Sequence, residues 1–290
     1  MLDPVQAHKE RVLEGVGVWA SYYRANPHRF AKDFLRLELH VFQKILLMMM
    51  FMNNSFVFIA SRGIGKTFLC SVFCVIRCIL YPGTKICIAS GTRGQSINVL
   101  EKVITELIPN SSALANEISE VKTGGQSAHI LFKNSSSIKV VTASDNARGN
   151  RAHILILDEF RMIKKDVIDT ILRKFLANPR HPKFLDKPEY KKLKQYQEPN
   201  KTLYLSSAYY QDHWSYTKTR DTYKFMLSDK RKEFVCGFPY QLALKEGLLM
   251  EEQVIEQMTE SDFSEIKWSI NISVLLKPIE RMQKRCTVNV

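Results

Sequence analysis

A chain of 290 residues, 45% apolar and 24% charged, has the composition of a folded globular protein and the length for one large core, or one core with a small appendage. Its six cysteines suggest no disulfide framework, its longest apolar run (Ile45 to Met52) is too short to span a bilayer, and no signal peptide opens it, so a reducing, intracellular, membrane-free setting is expected. The formal charge of +13 favours polyanionic partners such as nucleic acid or a nucleotide, although a merely soluble basic surface accounts for it equally well.

Taken in order, residues 1–30 read as mixed helical and polar, and Pro27 marks a break before a helix expected from Arg29 to Leu39. His40 to Met52 reads as a strongly apolar helix that ends at the turn Asn53-Asn-Ser55. The stretch Phe56-Val-Phe-Ile-Ala-Ser-Arg-Gly-Ile-Gly-Lys-Thr67 then combines a buried strand, a glycine-containing turn and the start of a helix, the layout of a phosphate-binding loop. In such a loop Ser61, Arg62, Gly63, Ile64 and Gly65 surround the phosphates, Lys66 reaches the β- and γ-phosphates, and the Thr67 hydroxyl ligates Mg2+. The common pattern has glycine where this chain has Ala60, and a bare Gly-Lys-Thr is a weak signal by itself.

Thr67 to Leu80 is expected as a helix stopped by Tyr81-Pro-Gly83, with Cys70, Cys74 and Cys78 on one face as small apolar groups rather than metal ligands. Lys85 to Ser90 reads as a buried strand and Gln95 to Leu107 as a helix, an alternation that predicts parallel βαβ units. His129–Phe132 and Ser137–Thr142 read as a hairpin, and Ile154 to Leu157 as an apolar strand ending in Asp158-Glu159. Lys165 to Leu176 reads as a helix. Between residues 161 and 201 twelve Lys/Arg face five Asp/Glu, and four prolines interrupt the stretch, so its middle is expected to be a basic excursion outside the core. Lys201 to Ala208 is a further strand, followed by shorter polar elements and a helix near Glu251 to Met258.

Asp158-Glu159 at a strand tip supplies what a phosphate loop needs: one carboxylate for Mg2+ and a second to polarise the attacking water. Alone the pair is as good a helix cap, but together the two motifs make complementary halves of one site. Ser206-Ser207 at the next strand end suits a sensor of the γ-phosphate, or a plain turn. Gln43 offers an amide that can pair with adenine, or a surface residue. Arg62, and Arg148 in Ala147-Arg-Gly-Asn150, are candidate charge stabilisers for phosphoryl transfer, or ordinary surface contacts.

Together, Ser61-Arg-Gly-Ile-Gly-Lys-Thr67, Ala147-Arg-Gly-Asn150, Ile154-Leu-Ile-Leu-Asp-Glu159 and Ser206-Ser207 resemble the large terminase subunit of tailed bacteriophages over roughly residues 35 to 210, and Phe42-Gln43 resembles that family's adenine motif. That family's loop carries Ser-Arg ahead of the glycine and tolerates a non-glycine first position, which accounts for Ala60. The resemblance implies an α/β, RecA-like P-loop NTPase of the additional-strand type, with a mostly parallel sheet flanked by helices and a small C-terminal lid or linker subdomain. The expected division is an N-terminal helical segment (1–55), an ATPase core (56–210) and a lid or linker with a tail (211–290). It implies ATP and Mg2+ as substrate and cofactor, Glu159 as catalytic base, Arg62 acting in cis, Arg148 as a finger in trans, Thr67 and Asp158 on the metal, and Ser206 and Ser207 as the coupling motif. The partners it implies are double-stranded DNA, the portal protein, the small terminase subunit and further copies in a ring, working in the host cytoplasm on the procapsid.

The RNase H-like nuclease domain of full large terminases is not expected in these residues, since no acid after residue 210 follows an apolar strand. Trp268 to Val274 reads as a last strand or linker, and Arg281 to Val290 as a basic tail. Two other readings stay open: a helicase or translocase of a related P-loop class, and a DNA-binding packaging module with a vestigial nucleotide site.

Overall fold

The structure, a computed structural model, describes residues 4–61, 63–124, 128–144, 147–191, 197–228 and 231–259. Arg62, Trp268 to Val274 and the basic tail lie outside the described residues. The chain opens with three helices, α1 (Pro4–Ala25), α2 (Pro27–Asp33) and α3 (Val41–Met52), which lead into β1 (Ser55–Ala60). The helix expected from Arg29 to Leu39 is displaced and shorter. Pro27 sits at its first turn, where a fixed φ and a missing N–H cost nothing, and Arg36 at φ 59° sends the chain away.

After β1 come α4 (Lys66–Leu80), β2 (Lys85–Ser90) and α5 (Arg93–Lys102), which continues through a π-turn to Leu107. Two short helices follow, α6 (Ile108–Asn110) and α7 (Ser112–Glu117), then β3 (Ile118–Lys122), β4 (His129–Phe132), β5 (Ser137–Thr142) and β6 (Ile154–Asp158). α8 spans Lys165–Thr170, and Leu172–Leu176 tightens to 3-10 geometry, so the expected helix over 165–176 is two pieces. The remainder is α9 (Pro188–Lys191), β7 (Lys201–Ser206), α10 (Trp214–Met226), β8 (Glu233–Phe238), α11 (Tyr240–Lys245) and α12 (Glu251–Thr259).

The eight strands form one sheet in the order β3-β4-β5-β2-β6-β7-β1-β8. From β5 to β8 every pairing is parallel, and β3–β4–β5 extend the sheet as an antiparallel meander. Strand β7 lies between β1 and β6, the additional strand of the expected class. β8 pairs with β1 from Ser55↔Glu233 to Ala60↔Phe238, so the sheet runs past the division expected at residue 210. Buried strands alternate sides. Phe56 and Phe58 pack with α4 on one face, and Val57, Ile59 and Tyr204 pack with α8 and α10 on the other. Cys70, Cys74 and Cys78 are fully buried on α4 as apolar fillers.

The basic excursion is not wholly outside the core. Arg180 is 7% exposed and donates to Glu198 and to the Pro82 carbonyl at 2.9 Å, while Glu198 also pairs with buried Arg77. Tyr81 lies under this cluster, with the Arg77 guanidinium 3.4 Å from its ring centroid. Lys201 is buried and caps the end of α3, donating to the carbonyls of Phe51 at 2.8 Å and Asn53 at 2.6 Å.

Candidate active site

In a sheet of parallel strands the carboxyl ends face one edge, and ligands bind there. The registers Ile59↔Ser206 and Asp158↔Leu205 bring the end of β1, the acids after β6 and the serines ending β7 to that edge, side by side. The loop from Ala60 to Gly65 turns the chain from β1 into α4, with Gly63 at φ 81° and Gly65 at φ 85°. Both need the left-handed region, which explains glycine there. Space adds a second reason: a Cβ at Gly65 would sit 3.3 Å from Gln43 Nε2, and one at Gly63 would sit 3.3 Å from Leu249 Cδ1.

Within the loop, Ile64 is buried and anchors the turn, whereas Ser61 Oγ is buried with no hydrogen-bond partner among the described residues. Lys66 Nζ donates to the Ala60 and Ser61 carbonyls at 2.8 and 2.9 Å, so the ammonium lies over the loop. Thr67 follows in the first turn of α4, where backbone N–H groups and the helix dipole favour an anion. Gln43 is 3% exposed, and its Oε1 accepts from the His40 backbone N–H at 3.0 Å. It therefore abuts the loop and also closes the first turn of α3, a bond the sequence pattern did not disclose.

Glu159 stands at φ 45°, ψ 49°, a left-handed turn unusual for a side chain of its kind. That turn aims the carboxylate at the end of β7. Ser206 Oγ donates to Oε2 at 3.1 Å, the Ser207 N–H to Oε2 at 3.4 Å, and Ser207 Oγ to Oε1 at 3.4 Å. Arg161 Nε adds a charge-assisted bond to Oε2 at 3.1 Å. Asp158 is buried beside it, accepting from the Glu159 backbone N–H at 3.1 Å. Burial and the neighbouring Glu159 charge push the Asp158 carboxyl up to about 6. Burial raises Glu159 too, but Lys66 and Arg161 outweigh it, and its carboxyl lies below the ordinary value.

The structure thus gathers Gln43, Ser61 to Thr67 apart from the undescribed Arg62, Asp158, Glu159, Ser206 and Ser207 at one edge. Arg148 lies elsewhere in the chain path, exposed on the turn between β5 and β6. Asn150 Nδ2 donates to the Ala147 carbonyl at 2.7 Å there, and Lys139 Nζ to Asn150 Oδ1 at 2.8 Å, which braces the turn. Sequence reasoning missed Arg161, whose position two residues past an acid carries no motif. The lid or linker expected after residue 210 was named without particular residues; after β8, Leu249 lies where a Cβ on Gly63 would meet it, and Glu246 Oε2 lies 2.7 Å from His40 Nδ1.

A strand inserted between a phosphate-loop strand and an acid-tipped strand, with glycines, lysine and paired acids on one edge, defines a P-loop ATPase domain of the additional-strand class. Residues 57–185 match the family model described as terminase large subunit, T4likevirus-type, N-terminal. That match covers a little under half of the chain, and the fold is that of solved large terminase ATPase domains. No curated protein matches it by sequence. Among solved structures it is similar to the large terminase ATPase domain of Thermus phage P74-26, at TM-score 0.54 and 14% identity over 80% of this chain and 92% of that one. The bacteriophage HK97 large terminase is similar at TM-score 0.58 and 14% identity, over 81% of this chain and 50% of that one. The large terminase of a further thermophilic bacteriophage gives TM-score 0.54 and 12% identity, over 78% and 52%, and has also been solved with ADP. This chain spans about half the length of the last two proteins, and at these identities the likeness is one of fold.

Proposed function

We propose that this chain hydrolyses ATP with Mg2+ and that, as a subunit of a ring, it turns hydrolysis into movement of viral double-stranded DNA into the procapsid. The carrying observation is the hydrogen-bonded group Glu159–Ser206–Ser207, which places a carboxylate with a pKa below the ordinary value on the same edge as the glycine loop and Lys66. The residues fit a nucleotide: a left-handed glycine loop, a buried serine hydroxyl without a partner among the described residues, and an ammonium over the loop. Lys66 and the α4 N-terminus neutralise phosphate charge, and Gln43 stands beside Gly65 where it can meet the base. Thr67 and Asp158 would hold Mg2+, which neutralises charge developing on the phosphoryl oxygens. Glu159 orients and deprotonates the attacking water, and Ser206 and Ser207 hold its carboxylate and report its state to the chain beyond β7.

Arg62 and Arg148 are the proposed charge stabilisers, in cis and in trans. Duplex DNA, the portal protein, the small subunit and further copies of this chain are the proposed partners, in the host cytoplasm on the procapsid. Among the described residues no helix is long and apolar enough to cross a membrane. Residues after β8 are proposed as the lid, because Leu249 and Glu246 reach the loop and its neighbour His40. Steady-state ATP turnover of wild type, Lys66→Ala and Glu159→Gln, with and without Mg2+ chelation, tests the reading. Glu159→Gln should lose about 10²–10⁴-fold in kcat while still binding ATP. Equal turnover in all three proteins would end the proposal.

A further inference from the structure

Among the described residues, three of the four hydrogen bonds that hold the Glu159 carboxylate converge on Oε2: those from Arg161 Nε, Ser206 Oγ and the Ser207 N–H. Oε1 receives one, the long 3.4 Å bond from Ser207 Oγ. One oxygen is thereby fixed and the other is the better placed to accept from a water. Ser206 and Ser207 belong to the end of β7, but Arg161 comes from the 3-10 turn Phe160–Met162 that follows Glu159 itself. Its side chain is held in turn. The guanidinium lies over the Tyr209 ring, 5.1 Å from the centroid, and Tyr209 meets His213 edge to face with centroids 4.9 Å apart. Arg161 therefore bridges the catalytic carboxylate and the segment between β7 and α10. Among the described residues, the groups facing Glu159 are Asp158 beside it, Lys66 from α4, Arg161, and the two serines.

We infer that Arg161 is a positioning residue for the hydrolytic reaction: it fixes Oε2 of Glu159 so that Oε1 meets the attacking water, and Tyr209 is the seat that holds Arg161 in place. This rests on the ATPase reading above. A guanidinium does this better than an ammonium, because Nε bonds the carboxylate while the planar face stays on the aromatic ring. The arginine touches neither the loop nor Lys66 through any bond described, so its removal should spare nucleotide affinity.

ATP turnover and fluorescent-nucleotide binding of the full chain, with Arg161→Ala, Arg161→Lys, Tyr209→Ala and Tyr209→Phe, test the inference. Arg161→Ala should lower kcat about tenfold or more with KM and nucleotide affinity within about twofold of wild type. Arg161→Lys should recover part of the loss, Tyr209→Phe should keep nearly full activity, and Tyr209→Ala should fall between. Adding Arg161→Ala to Glu159→Gln should cost nothing further, since the carboxylate it positions is gone. Unchanged or raised kcat in Arg161→Ala, or a further drop in the double variant, overturns the inference, as does a parallel loss of affinity and thermal stability in both Arg161 variants. If wild type fails to hydrolyse ATP, or Glu159→Gln matches it, the ATPase reading itself fails. Active wild type with dead Glu159→Gln and an indifferent Arg161 sinks only the positioning role.

Discussion

Asp158 and Glu159 are neighbours in the chain, yet their surroundings move their acidities in opposite directions. Asp158 is buried with a second carboxylate beside it and is pushed up from 3.8 to about 6. Glu159, buried too, is drawn down by Lys66 and Arg161. An acid whose folded value lies above its unfolded value weakens the fold when ionised. For Asp158 the penalty is absent below about 4, grows through the interval to about 6 and is complete above it. That interval corresponds to about 3 kcal/mol as an upper figure. Asp158→Asn is accordingly expected to be more stable than wild type at pH 7.5, by up to about 3 kcal/mol, while losing Mg2+-dependent turnover. Urea melts at pH 7.5 and pH 4 check this, and the gap should close at the lower pH. At this scale the gathering of Lys66, Thr67, Asp158 and Glu159 at one sheet edge was legible, because phosphate and metal chemistry restricts residue type and spacing. Arg161 was not, because its contact depends on the left-handed turn at Glu159, for which an acidic residue gives no signal.

Among the elements, the buried strands and α4 were readable from apolar runs, and the edges were not. β3 exposes nearly its whole length and so lacks the alternation of a half-buried strand. β8 is mostly half-buried and carries Gly237, which hides a strand that pairs with β1 along all six residues. The charge count between residues 161 and 201 misled for a related reason. A sum of charges does not show that Arg180 turns inward to meet Glu198 and Arg77, joining the segment before β7 to α4. Removing the acid from that knot strands two buried guanidinium groups, so Glu198→Ala should cost about 3–5 kcal/mol in thermal or chemical denaturation. Burial alone would raise the Glu198 carboxyl, but the Arg180 and Arg77 charges hold it below its ordinary value. Its contribution is present above the unfolded value and is lost as pH falls through the folded one. Acid denaturation of Glu198→Gln should thus be shallower than that of wild type. Gly65 gives a sharper test of the loop: Gly65→Ala meets both a φ of 85° and the Gln43 amide, and should lose about 1–2 kcal/mol along with ATP affinity.

For the molecule as a whole, the net charge of +13 suits a partner that is a chain of phosphates. Duplex binding should be independent of sequence and fall steeply between low and physiological salt, as each neutralised phosphate releases counterions. Fluorescence anisotropy across a salt series measures it, and a flat response would count against DNA as partner. Cooperation between copies has its own assay. If Arg148 serves a neighbour's site, mixing Arg148→Ala with Glu159→Gln subunits should restore part of the turnover that each lacks. Overall architecture was legible because parallel βαβ units follow from alternating buried strands and helices, whereas the place of β7 between β1 and β6 came only from the resemblance, since nothing in its own residues marks it. That place has a mechanical consequence. β7 is laddered on both sides, to β1 from Ser55↔Thr202 to Ile59↔Ser206 and to β6 from Ile154↔Lys201 to Asp158↔Leu205. Sliding it by one residue would break both ladders and turn Tyr204 to the opposite face. The strand can therefore work only as a fixed rod, with any stroke beginning at its tip. During turnover, backbone amides of residues 202–205 should stay slow in deuterium exchange while those just past Ser207 change.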